Sequence, residues 1–142
     1  MEPLGRRCRR EVEDLHAFFV EWFNGAVPQS EETFARATSA LAGDFELVSP
    51  RGARDDRESI LREIRGAYGG REGQGFSVAI EDFRVKLVQS PLCVVTYVER
   101  HRSDEQSAAR LSTAIFRERE DAPEGVEWVH LHETWLPNGT PG

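Results

Sequence analysis

Lysine is almost missing from this 142-residue chain. Lys86 stands alone against 17 arginines, a bias that points to a GC-rich bacterial genome and carries no functional signal. Cysteine is scarce too. Cys8 and Cys93 are far apart and lack metal-ligand spacing, which excludes a disulfide framework and a zinc site and predicts free thiols in a reducing cytoplasm. No apolar run approaches the ~20 residues that a membrane-spanning helix needs. The cluster Arg6, Arg7, Arg9, Arg10 is followed by Glu11, Glu13 and Asp14 where a signal peptide needs apolar residues, so export by the usual signal is not expected. A net charge of −7 argues against nucleic acid, because phosphate binding needs a basic surface. The arginine cluster then reads as a frayed terminus or an ion-paired first helical turn. Neither a cofactor nor a metal is implied. What remains is a single domain, 1–142 with an ordered core over about 9–137, long enough to bury a core.

The first half has helical periodicity. Val12, Leu15, Phe19, Trp22 and Phe23 predict an amphipathic helix over Arg9–Phe23, closed by Asn24-Gly25. Ser30 caps a second helix with Glu31 and Glu32 in its first turn, where the helix dipole favours anions. Asp44–Val48 alternates as a short strand, stopped by Pro50 and Gly52. A third helix begins at Asp55 or Asp56, Asp55 with Glu58 fitting a capping box, and buries Ile60, Leu61 and Ile64. The run Gly69 to Gly75 follows a helix and does not link a strand to one, so it is no phosphate loop but a lid or turn.

From Phe76 the period becomes two. Four long strands are predicted: Phe76–Val88, with a phase slip between Ile80 and Phe83 that implies a bulge, then Leu92–Arg102, Arg110–Glu118 and Val126–Leu136. Helices followed by antiparallel strands predict an α+β domain, a curved and mostly antiparallel sheet with helices packed on one face. In the last strand Val129, Leu131 and Trp135 share a face with Glu133, while Trp128, His130 and His132 share the other. A carboxylate on an apolar face is costly unless paired or used. His130 and His132 lie close enough on one face to hold a metal but lack a third ligand. The stronger reading puts Trp128 and His130 with Thr96, Val98 and Ile115 in a homodimer contact on the outer sheet face. His16 reads as a packed core histidine, with a pocket base as the alternative, and His101 as solvated beside Arg100 and Arg102.

Three N-terminal helices, the Ser49-Pro50 turn, the bent sheet and the ending Trp128-Val129-His130-Leu131-His132 resemble the nuclear transport factor 2-like superfamily. Within it the chain is similar to SnoaL-like proteins and to the association domain of calcium/calmodulin-dependent kinase II, over about Arg9 to Pro137. The resemblance implies a cystatin-like cone whose open end is a small-molecule pocket. It places Val129, Leu131 and Glu133, then Val95, Tyr97 and Glu99, on the inside, with Ser112 and Ala114 between and Arg110 at the rim. Phe19 and Trp22 of the first helix would cover the cavity. Positions matching Glu99 and Glu133 carry arginines in the kinase domain, so a neutral, polar or cationic ligand is implied here. The superfamily spans isomerases, cyclases, dehydratases and domains that only oligomerise, so fold leaves function open.

Two carboxylates converging in an apolar cavity suit general acid–base work, since burial and repulsion raise one pKa toward neutrality. Glu99 and Glu133 are the candidates, with Tyr97 donating to a developing oxyanion. Phe19, Trp22, Arg110, Ser112 and Leu131 would contact the ligand. The competing expectation is that both acids pair with Arg110, Arg54 or Arg117 and only close the cone. An oligomerisation module without chemistry is the alternative function.

Overall fold

A computed structural model describes residues 2–137. Two helices precede the first strand of one six-stranded sheet, and a third follows its second strand. The first, α1, spans Leu4–Phe23, α2 spans Glu31–Thr38 and α3 spans Arg57–Gly66. The strands are β1 (Leu41–Val48), β2 (Arg54–Asp56), β3 (Ser77–Gln89), β4 (Leu92–Arg102), β5 (Ser107–Glu118) and β6 (Val126–Trp135), in the order β2-β1-β6-β5-β4-β3. β3 to β6 pair antiparallel as the periodicity predicts, whereas β1 joins β6 in parallel. The α+β class and the mostly antiparallel sheet are thus as expected. β2 was not expected as a strand; its three residues pair with the end of β1, so Asp55 opposes Leu47.

The first helix starts more than a turn earlier than its apolar spacing suggests. Leu4 and Cys8 are buried, and two arginines of the first turns are held by acids at the end of β5 and in the β5–β6 connection. Arg7 pairs with Glu118 at 3.2 Å and Arg10 with Glu124 at 2.7 Å. The cluster is therefore an ion-paired helix start, not a frayed one. Ser30 Oγ accepts from the Thr33 amide as expected. The third helix is capped by Asp56, whose carboxylate accepts from the Ser59 amide at 2.9 Å. The glycine-rich run is a clamped turn: the Gly69 and Arg71 amides donate to the Trp22 and Phe23 carbonyls, and the Asp104 amide donates to Gln74. Gly75 is required in that turn, since its φ is +63° and a Cβ there would meet Asp104 Oδ1 at 2.3 Å.

Two of the register shifts in the sheet decide which side chains face inward near the helices. In β3 the pairing passes from Glu81–Val98 to Arg84–Thr96, with Asp82 at φ 50°. This is the slip anticipated between Ile80 and Phe83, and it bends the sheet over α1. The second bulge was not anticipated. Ile115 opposes His130 but Phe116 opposes Trp128, which leaves Val129 as the extra residue. One extra residue moves every side chain before it to the other face. Trp128 consequently points inward, 1% exposed and packed on Phe116 at 4.5 Å. The expected outer-face contact through Trp128 is therefore corrected, and so is the inward placement of Val129. Among the described residues no helix is long and apolar enough to cross a membrane.

Candidate functional site

Beneath α1 the inner face of the sheet carries a short row of polar groups. Register puts Tyr97 opposite Ser112 and Glu99 opposite Arg110 on β4 and β5, then Ser112 opposite Glu133 and Arg110 opposite Trp135 on β5 and β6. These residues share a face because strand neighbours two apart do. His101 continues the β4 row beyond Glu99. From the opposite side α1 lowers His16, one helical turn beyond Val12, onto the same row.

Together they enclose one end of a cavity of about 690 Å³. Its walls are mainly apolar: Leu15, Phe19 and Phe23 of α1, Phe45 and Leu47 of β1, Ile60 and Ile64 of α3, and Trp128, Leu131 and Trp135 of β6. Its polar end is His16, Glu99, His101, Arg110 and Glu133, and its mouth carries Ser49, Arg51, Asp55 and Glu63. Phe19, Glu99, Arg110, Leu131 and Glu133 thus border the space where the sequence reading puts them. Trp22, Tyr97 and Ser112 do not. Trp22 is buried among Phe34 and Tyr68 and donates to the Ile64 carbonyl at 2.8 Å, so it joins the helices instead of facing a ligand. Tyr97 and Ser112 lie behind the carboxylates, fully buried, with the Ser112 hydroxyl as the polar neighbour of the Tyr97 hydroxyl. Burial first, then Glu99 and Glu133, push the Tyr97 hydroxyl well above its usual range.

The two glutamates differ in surroundings. Glu99 is 1% exposed and receives three groups: His16 Nε2 on one carboxylate oxygen, His101 Nε2 and the Arg110 guanidinium on the other, Arg110 Nε at 3.1 Å. Burial opposes its charge, yet these partners hold its carboxyl well below the usual range. The expected solvated role of His101 is corrected by this contact. His16 Nδ1 lies 2.7 Å from the Val12 carbonyl and Nε2 faces Glu99, so both ring nitrogens meet acceptors and both must donate. Burial works against an imidazolium there, but Glu99 outweighs it and raises the pKa.

Among the described residues Glu133, 5% exposed, has one ion pair, to Arg110 Nη1 at 3.3 Å. Burial raises its pKa to about 7; Arg110 opposes the shift and the charge of Glu99 adds to it. Of the arginines considered for these acids, Arg110 bridges both, while Arg117 pairs with Asp44 and Glu127. The site therefore holds one fixed anion and one carboxyl that titrates near neutrality. Sequence alone signals His101 weakly, through its place two residues beyond Glu99, and signals Glu11 not at all. Glu11 is fully buried on α1, accepts from Arg36 at 2.7 and 3.1 Å, and accepts from the Trp128 indole at 2.8 Å. It fixes the indole that forms the cavity wall beside His16.

Residues 8–137 match the family model described as sucrose-6-phosphate phosphohydrolase C-terminal. The chain belongs to that family. No curated protein matches it by sequence. Its fold is that of nuclear transport factor 2-like proteins. A solved structure of such a protein of unknown function from Pseudomonas aeruginosa superposes with a TM-score of 0.82 at 22% identity, covering 92% of this chain and 99% of that one. A CaMKII hub from S. rosetta gives a TM-score of 0.72 at 10% identity over 96% and 99%. An uncharacterised protein with a cystatin-like fold from Caulobacter vibrioides gives 0.60 at 12% over 91% and 89%. At these identities the likeness is one of fold.

His130 and His132 face each other edge-on at 6.5 Å, and His130 lies 3.5 Å from Glu46. No group of three or more His, Cys, Asp or Glu among the described residues is arranged to hold a metal.

Proposed function

We propose that this chain binds a small, largely apolar molecule in its cavity and that Glu133 exchanges a proton with it. The observation that carries the reading is the asymmetry of the two acids. Glu99 is saturated by three partners, whereas Glu133 borders the cavity with a single partner and a pKa near 7. A base works best when its pKa lies near the operating pH and its proton donor sits within reach. Abstraction of a proton from a carbon next to a carbonyl fits the charges: as Glu133 gains the proton, the Arg110 guanidinium beside it remains to stabilise the enolate oxygen. Glu99 and Arg110 then orient, and Glu133 is the catalytic residue.

The test is hydrogen exchange in deuterium oxide with a panel of apolar ketones. Wild-type protein exchanges α-hydrogens at a rate that rises through about pH 7 and levels above it, as ionised Glu133 accumulates. Glu133→Gln abolishes the exchange while keeping the fold. Exchange that survives this substitution, or that is absent from every ketone in wild type, defeats the catalytic reading.

Association is the second reading. Leu111 is 41% exposed and Leu87 is 56% exposed; register places both on the outer sheet face, where His130 and Ile115 also lie. Clustered apolar groups on a sheet face favour a contact between copies. A homodimer through this face predicts that light scattering finds twice the chain mass for wild type and the chain mass for Leu111→Arg. A monomeric wild type at micromolar concentration removes this reading and leaves the first intact.

A further inference from the structure

The polar end of the cavity has a charge balance that selects a ligand class. Glu99 offsets Arg110, and ionised Glu133 offsets His16, whose two nitrogens both face acceptors. His101 Nε2 lies between Glu99 and Arg110 Nη2, 3.1 Å from the latter. A proton on Glu133 then leaves one positive charge unmatched inside an apolar enclosure. Arg51, Asp55 and Glu63 sit at the mouth, where water screens them. The unmatched charge is therefore local to the buried end.

Geometry supplies the matching receptor. Arg110 Nη1 and Glu133 Oε1 are 3.3 Å apart, side by side on the cavity wall. Once Glu133 is protonated, both are donors at a spacing that suits the two oxygens of one carboxylate, as paired N–H groups do in an arginine fork. Deep apolar walls on α1, α3 and β6 then accept the rest of the molecule.

We infer that the cavity captures an apolar monocarboxylate, its two oxygens held by Arg110 Nη1 and by the protonated carboxyl of Glu133, with one proton taken up on binding. This rests on the reading of Glu133 as the titrating group of a ligand cavity. It departs from the neutral or cationic ligand suggested by the acids alone, because the structure surrounds Glu99 with cations that cancel it. The ligand is bound without covalent attachment; one O–H bond forms on Glu133 as hydronium or a buffer acid gives up its proton. The other groups facing Glu133 do not compete for that role. Arg110 stays charged, Tyr97 is held neutral by burial, Glu99 is held ionised by His16, His101 and Arg110, and Glu99 in turn raises the His16 pKa and favours its already charged form.

Calorimetry with 2-naphthoate as probe and 2-naphthylmethanol as its neutral counterpart tests this. Naphthoate is ionised throughout the range used, so any pH dependence belongs to the protein. At about pH 8, titrations in buffers of different ionisation enthalpy should show close to one proton taken up per naphthoate bound, and affinity should fall about tenfold per pH unit above the Glu133 titration. The alcohol should bind without proton uptake and with no such slope. In Glu133→Gln the amide N–H replaces the acid as donor, so naphthoate should bind with no proton uptake and a flat pH profile. Naphthoate binding without proton uptake in wild type, or binding of the alcohol alone, overturns the inference and leaves the cavity reading standing. Failure of both probes to bind overturns the inference, and the proton-exchange reading is then decided by the ketone experiment alone.

Discussion

Replacing Glu99 with alanine should lower the unfolding free energy by about 3–5 kcal/mol, the range seen when one partner of a buried ion pair is removed. The carboxylate is 1% exposed and is the common acceptor for His16, His101 and Arg110. Without it, His16 and Arg110 remain buried with only Glu133 to answer them. A loss of that size is a large share of the ~5–15 kcal/mol that holds a typical domain together. In urea denaturation the midpoint should shift accordingly, and melting should fall by roughly 10–20 °C for a chain of this length. Glu99→Gln keeps the volume and part of the hydrogen bonding, so it should lie between alanine and wild type. A Glu99→Ala cost below about 1 kcal/mol would show that the three partners find water instead, and the fixed-anion view of Glu99 would go with it.

Glu133 should behave oppositely, and the sign follows from the direction of its shift. Its folded pKa, about 7, lies above the ordinary 4.5, so the folded state holds the proton longer than the unfolded state does. Stability is then highest below pH 4.5 as far as this group is concerned, and is lost as pH rises toward 7, by roughly 3 kcal/mol at most. Glu133→Gln should remove that loss and be as stable as wild type, or more stable, near pH 8. The two acids therefore separate experimentally: one substitution injures the fold, the other spares it and removes the chemistry.

Strand positions and one bend are legible in the sequence because they are local. Alternation marks β3 to β6, the slip between Ile80 and Phe83 marks the first bulge, and Ser30 marks a cap. Glu99, Arg110 and Glu133 reach one cavity because each lies in an unbroken stretch of alternation. Trp128 shows where such reading fails. Alternation carries no information on whether one residue is extra, and Val129 is; the phase before it is reversed. The arginine neighbours of His101 suggest solvent, but its row decides its environment: two residues beyond an inward glutamate, it reaches the same acid. The parallel pairing of β1 with β6, and with it the placement of Phe45 and Leu47 in the cavity wall, depends on residues some 80 apart and has no local signature.

Glu11→Ala should be as damaging as the loss of Glu99, about 3–5 kcal/mol, and for a related reason. The side chain is completely buried and its two oxygens take three donors, two from Arg36 and one from the Trp128 indole. Burial raises its pKa and Arg36, with the indole, counters that, so the group is stable only while its donors stay in place. Removal leaves the indole N–H unsatisfied, Arg36 without its counter-ion and a void between α1, α2 and β6. Arg36 is partly exposed and can turn to water; Trp128 cannot, since the Val129 bulge commits it to the interior. The damage should therefore concentrate at Trp128, seen as a changed near-ultraviolet dichroism even in the fraction that stays folded. Glu11→Gln retains an acceptor for the indole and should keep that signature while losing part of the stability. If Glu11→Ala leaves both the melting point and the aromatic dichroism unchanged, the carboxylate does not hold the wall, and Trp128 is fixed by its packing on Phe116 alone.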